Sequence, residues 1–99
     1  MKIAKQRLDR RHSGFHAWKY FIKFPYDCDK THRHNFFTVR EWCWSLWGPS
    51  KELDEWLQDT NNLNACSQNE FWCWQNDRYN TRIYLRTDKE LSQLALVWL

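Results

Sequence analysis

A chain of 99 residues is long enough for one domain with a single modest core and too short for two. Aromatic residues make up 18% of it, eight of them Trp, which supplies the large rings that a short chain needs to bury enough apolar surface. The net charge of +3 is small but uneven, because residues 1–14 hold Lys2, Lys5, Arg7, Arg10 and Arg11 against Asp9 alone; no apolar run reaches the length of a membrane span.

The sequence divides into a basic N-terminal arm, 1–14, and a single α+β domain, 15–99. Such an arm is either a solvated tail or a segment that lies along phosphate with a salt-dependent attraction. No apolar secretory segment opens the chain, so the expectation is a cytoplasmic protein with no membrane association. Without export, the even cysteine count of Cys28, Cys43, Cys66 and Cys73 does not call for disulfides, and Cys43 and Cys73 read as small buried hydrophobes.

The first expected strand runs from Phe15 to Phe24, with Trp18, Tyr20, Ile22 and Phe24 facing the core and Ala17, Lys19, Phe21 and Lys23 facing away. Pro25 ends it. The polar loop 26–35 brings Cys28, His32 and His34 together with Asp27 and Asp29, the sequence's one candidate metal site. Their spacing matches no zinc-finger pattern and no Cys-x-x-Cys pair is present, so neither a metal nor another cofactor is expected.

Thr38 and Glu41 have the spacing of a capping box, and Phe37 and Trp42 that of a hydrophobic staple, which predicts a helix start at Thr38. Gly48 and Pro49 predict its end. On this helix Val39, Trp42, Cys43 and Leu46 share one face, whereas Trp44 falls near Arg40 on another. Trp42, Trp44 and Leu46 also alternate as a strand would, but the caps favour helix. Ser50 caps a second helical stretch to about Gln58 with Leu53, Trp56 and Leu57 on its apolar side, and 59–69 reads as a long loop.

The period then changes to two. Phe71–Gln75 is a strand, 76–78 a turn, and Tyr79–Arg86 the returning strand with Thr81, Ile83 and Leu85 on one face and Arg82, Tyr84 and Arg86 on the other. Thr87 and Glu90 predict a short helix from Asp88 to about Leu94, and Ala95–Leu99 reads as a last strand. The order βαββαβ is that of a ferredoxin-like fold, an antiparallel sheet with its helices on one face.

That architecture leaves a sheet face with Lys19, Phe21, Lys23, Arg82, Tyr84 and Arg86. Rings between cations suit single-stranded RNA or DNA, since bases stack and phosphates meet charge. The disposition is similar to an RNA-recognition motif, but that family's glycine-aromatic signature is missing from 79–86, so no contact residues carry over. The alternative expectation, and the leading one, is a non-catalytic interaction module whose exposed sheet face or surface rings pack against a second copy, as a homodimer, or against a host protein, with Trp44, Phe21 and Tyr84 the candidates. A small metal-dependent hydrolase built on Asp27, Asp29, His32 and His34 is the remote third reading. With only Gly14 and Gly48, the chain has no phosphate-binding glycine loop and no nucleophile elbow.

The Lys/Arg-rich opening, the tryptophan clusters of 40–47 and 71–74 and the ending Arg82-Ile83-Tyr84-Leu85-Arg86-Thr87-Asp88-Lys89-Glu90 resemble short uncharacterised proteins of tailed bacteriophages. The resemblance implies no chemistry. It implies a host or phage macromolecule as partner in the host cytoplasm.

Overall fold

The computed structural model describes residues 3–11, 17–26, 30–59, 69–77 and 80–99. Its elements are β1 (Ala4–Arg7), β2 (Tyr20–Lys23), α1 (Thr31–Trp47), α2 (Leu53–Asp59), β3 (Trp72–Asn76), β4 (Thr81–Leu85) and α3 (Asp88–Trp98). The four strands form one sheet in the order β1-β2-β4-β3, antiparallel throughout. The expected α+β class with an antiparallel sheet is therefore present.

The order of elements is ββααββα rather than the expected βαββαβ. β2 and β3 each run antiparallel to β4, so they are parallel to one another with β4 inserted between them, the split βαβ unit of that plan. What differs is the source of the strand beside β2. It is Ala4–Arg7, from the stretch expected as a free basic arm. Ile3 packs against one core cluster and Leu8 is buried in the other, so apolar residues anchor both ends of this strand. Lys5, Gln6 and Arg7 remain exposed along it, and charge of this kind blunts an open sheet edge.

The other end of the chain corrects the expectation in a complementary way. Ala95–Leu99 is not a strand, since α3 continues to Trp98. A short, continuous apolar run fits either structure by pattern. Here Leu91, Leu94 and Trp98, at helical spacing, all meet the core, and that decides for helix. Thr87 is the N-cap residue as expected, though its hydroxyl donates to the Glu90 carboxylate rather than accepting from a first-turn amide.

α1 is helical, as the caps required, but it begins at Thr31, about two turns before the expected start. Thr38 lies inside it, and its hydroxyl donates to the His34 carbonyl at 3.0 Å, the back-bond of a mid-helix threonine. The stop is where the sequence put it. Gly48 has φ 90° and donates its N–H to the Trp44 carbonyl at 2.9 Å, a conformation that favours glycine. Leu46, expected on the core face, is exposed, because the buried stripe is Phe36, Val39 and Cys43. Ser50 does not cap α2; its hydroxyl donates to the Trp72 carbonyl at 2.6 Å and fastens the linker to β3.

The sheet is covered on both faces, which the sequence reading did not foresee. On one face α1 and α3 enclose Ile22, Phe24, Phe36, Val39, Trp72, Ile83, Leu85 and Leu94. Trp47 donates from Nε1 to Gln93 at 3.1 Å, while Trp42 reaches Trp98 at 6.2 Å between ring centroids, so the two helices run antiparallel. On the opposite face α2 lays Leu53 and Trp56 over Phe21, Cys73 and Tyr84. Trp18 belongs to this second cluster, edge-on to Trp56 at 4.8 Å. The alternation expected through Trp18 and Tyr20 breaks there, because β2 starts only at Tyr20.

Asn69 ties the layers together. Its Nδ2 donates to the carbonyls of Trp47, Gly48 and Pro49 at 2.9, 3.3 and 3.1 Å, covering the end of α1. Its Oδ1 accepts from the N–H groups of Phe71 and Trp72, and its own carbonyl accepts from Trp56 Nε1. Among the described residues no helix is long and apolar enough to cross a membrane.

Candidate interaction surfaces

Four of the residues expected to form an open, cationic sheet face do share one face of the sheet, because Phe21 is directly opposite Tyr84 and Lys23 opposite Arg82. The centre of that face is closed. Phe21 is 7% exposed and Tyr84 0%, both under α2. The Tyr84 hydroxyl donates to Gln75 Oε1 at 2.7 Å, and burial raises its pKa above the ordinary tyrosine value. Arg82 lays its guanidinium on the Phe21 ring at 4.5 Å, and Arg86 donates from Nε to the Ala17 carbonyl while covering Trp18 at 5.8 Å. These cations roof the second core with their planar heads and stems.

Lys19 is drawn to the sheet's end, 3.4 Å from Asp88. The Tyr20 hydroxyl also donates to Asp88, and these two bonds, Tyr20 first, hold the Asp88 carboxyl below its usual range. Lys23 is half-buried beside β1, across from Ala4. A base would find no bare ring between Lys19, Lys23, Arg82 and Arg86.

Of the candidate metal ligands, Cys28 lies outside the described residues, as do Asp27, Asp29 and Cys66. His32 and His34 sit in the first turn of α1, where positions two apart point about 200° away from each other around the helix. His32 is buried, 5.3 Å from the Tyr26 ring, and His34 is exposed. They cannot share an ion without unwinding that turn. Cys43 and Cys73 are free thiols inside the two cores, and burial pushes both pKa values well above the ordinary thiol range.

Trp44 is the one expected surface ring that is exposed, at 41%. It ends a stripe that the sequence reading recorded only as proximity to Arg40. Arg33, Phe37, Arg40 and Trp44 follow at spacings of four, three and four, so they line one side of α1. The Arg40 guanidinium lies 5.7 Å from the Phe37 centroid, 5.9 Å from Trp44 and 4.7 Å from Trp74. Beside it is a cavity of about 350 Å³ lined by Arg40, Glu41, Trp44 and Ser45.

A second surface was missed. Between the end of α1 and the start of α3, Leu46, Trp47, Phe71, Lys89, Glu90 and Gln93 line a groove of about 270 Å³. Leu46 and Phe71 are exposed on its rim. Farther along α3, Leu96 is 88% and Val97 56% exposed. The signal was present in the apolar run 94–99, but its reading as a strand placed those side chains elsewhere.

The chain matches no protein-family model, and comparison with curated proteins and with solved structures found no match.

Proposed function

We propose that this chain is a non-catalytic binding module whose first partner is a second copy of itself, joined through the outward side of α3. The observation that carries this reading is an almost fully exposed Leu96 one turn from an apolar groove on the same helical stripe. Lys89, Gln93 and Leu96 follow at spacings of four and three, with the groove at the Lys89–Gln93 end. Leu96 stands about 4.5 Å farther along the axis. A two-fold axis perpendicular to α3 sets two copies of that helix antiparallel, so that the Leu96 of each copy meets the groove of the other. Leu96, Val97 and Leu99 are all exposed at this end of the chain, which leaves apolar surface for a partner to cover.

Binding rather than catalysis is supported by the chemistry of the described residues. The two described thiols are buried, with pKa values raised by that burial, and His32 and His34 diverge, so these four residues supply neither an exposed thiolate nor a convergent histidine pair. Together with the resemblance to short tailed-phage proteins, the reading puts the module in the host cytoplasm, where the dimer presents further surfaces to host or phage macromolecules.

Size-exclusion chromatography with light scattering tests the proposal. A dimer that persists at high salt is expected, because apolar contact is not screened. Leu96→Glu is expected to give a monomer with an unchanged circular dichroism spectrum. A wild-type chain that stays monomeric at every concentration overturns the reading.

A further inference from the structure

The stripe on α1 lies apart from the α3 groove and has a different chemistry. Arg33 is exposed, Phe37 and Trp44 present large exposed rings, and Arg40 is held between them and Trp74. The Arg40 Nε is buried and has no hydrogen-bond partner among the described residues. Stacking occupies the flat faces of a guanidinium and leaves its N–H edge and its charge unspent. A cation held by stacking, with its Nε donor unused, therefore stands beside a concavity that has an indole on one wall.

We propose that this stripe binds single-stranded nucleic acid, with one base stacked on Trp44 in the cavity and the neighbouring phosphates running past Arg33 and Arg40. At about 350 Å³ the cavity is at the small end of ligand pockets, which start at about 300 Å³, and this suits a single base rather than a larger group. Glu41 and Ser45 complete its lining. A carboxylate there accepts from an exocyclic amino group, as on cytosine, and repels phosphate, so the backbone is directed to the arginines. Alternating rings and cations along a helix match alternating bases and phosphates along a strand.

The test is fluorescence anisotropy of a labelled oligocytidylate of about 12 nucleotides, within the span that single-strand-binding modules occupy, titrated with the full chain at rising salt. Binding at low salt that weakens as salt rises is expected. Trp44→Ala should weaken it about 5- to 150-fold, the range of one lost base stack, while Trp44→Phe, which keeps a ring, retains most of the affinity. Arg33→Ala should lower the slope of log affinity against log salt by about 0.7, one phosphate's share for a single strand. Lys5→Ala, which removes an exposed cation on β1, should leave that slope unchanged. No binding at low salt overturns the proposal, as does a slope reduced equally by Lys5→Ala, which would make the attraction diffuse. Wild-type affinity in both Trp44→Ala and Arg33→Ala overturns it too, and if those variants instead lose self-association the stripe is a protein interface.

Discussion

Replacing Asn69 probes the joint on which the two-faced core depends. Its amide donates toward three carbonyls at the end of α1 and accepts from two N–H groups at the start of β3. An NH2 group has two hydrogens, so the three donor contacts amount to two full bonds. Each net bond contributes about 1 kcal/mol, and more where the orphaned partner stays out of water. The contacts to Pro49 and Phe71 are solvent-exposed, and water replaces them at little cost. The remaining contacts, to Trp47, Gly48 and Trp72, are partly buried. Asn69→Ala is therefore expected to cost about 2–3 kcal/mol. Asn69→Asp separates the halves, since it keeps the acceptor but turns the donor into an oxygen facing three carbonyls; a loss of about 1–3 kcal/mol is expected from the donor side alone. Urea unfolding followed by tryptophan fluorescence measures both, with the midpoint falling and the slope unchanged if the folded architecture is intact. A loss below about 0.5 kcal/mol for both variants refutes the clasp, placing Asn69 among surface substitutions of no consequence.

Trp56→Ala should cost about 3–5 kcal/mol in the same assay, because it empties the layer that α2 places on the second sheet face; a loss below 1 kcal/mol would mean that α2 does not cover that face. The Asp88 carboxyl, lowered in the folded chain from 3.8, contributes stability that is present above its unfolded pKa and lost as pH falls below about 4. Tyr20→Phe should raise its NMR titration midpoint toward 3.8 and move acid unfolding to higher pH, and an unmoved midpoint removes the Tyr20 bond from the account. Cys43 and Cys73 should resist iodoacetamide at pH 8 in the folded chain and react on unfolding, read by peptide mass spectrometry; fast native labelling of either contradicts its burial.

Local chemistry in the sequence was enough for the helix stop at Gly48–Pro49, for Thr87 at the N-terminus of α3, and for β3 and β4 to within a residue or two of their described bounds. Glycine's freedom at positive φ, proline's missing N–H and the period-two alternation of Trp72–Asn76 and Thr81–Leu85 act within a few residues of themselves, so they are readable in one dimension. Trp44's exposure was legible for the same reason, as a ring off the apolar stripe of its helix. The class, α+β with an antiparallel sheet, follows from these elements.

Only tertiary packing decided the rest. Whether Ala4–Arg7 is a tail or a strand depends on β2 having a free edge to receive it, and charge at an edge strand does not oppose pairing. Whether 95–98 coils or extends depends on what Leu94 and Trp98 can reach. Whether α2 lies with α1 or across the sheet depends on where Leu53 and Trp56 find partners, and they find Phe21 and Tyr84, the rings expected at the surface. In each case the free energy comes from apolar area that two distant segments remove from water together, a quantity that neither segment's sequence contains.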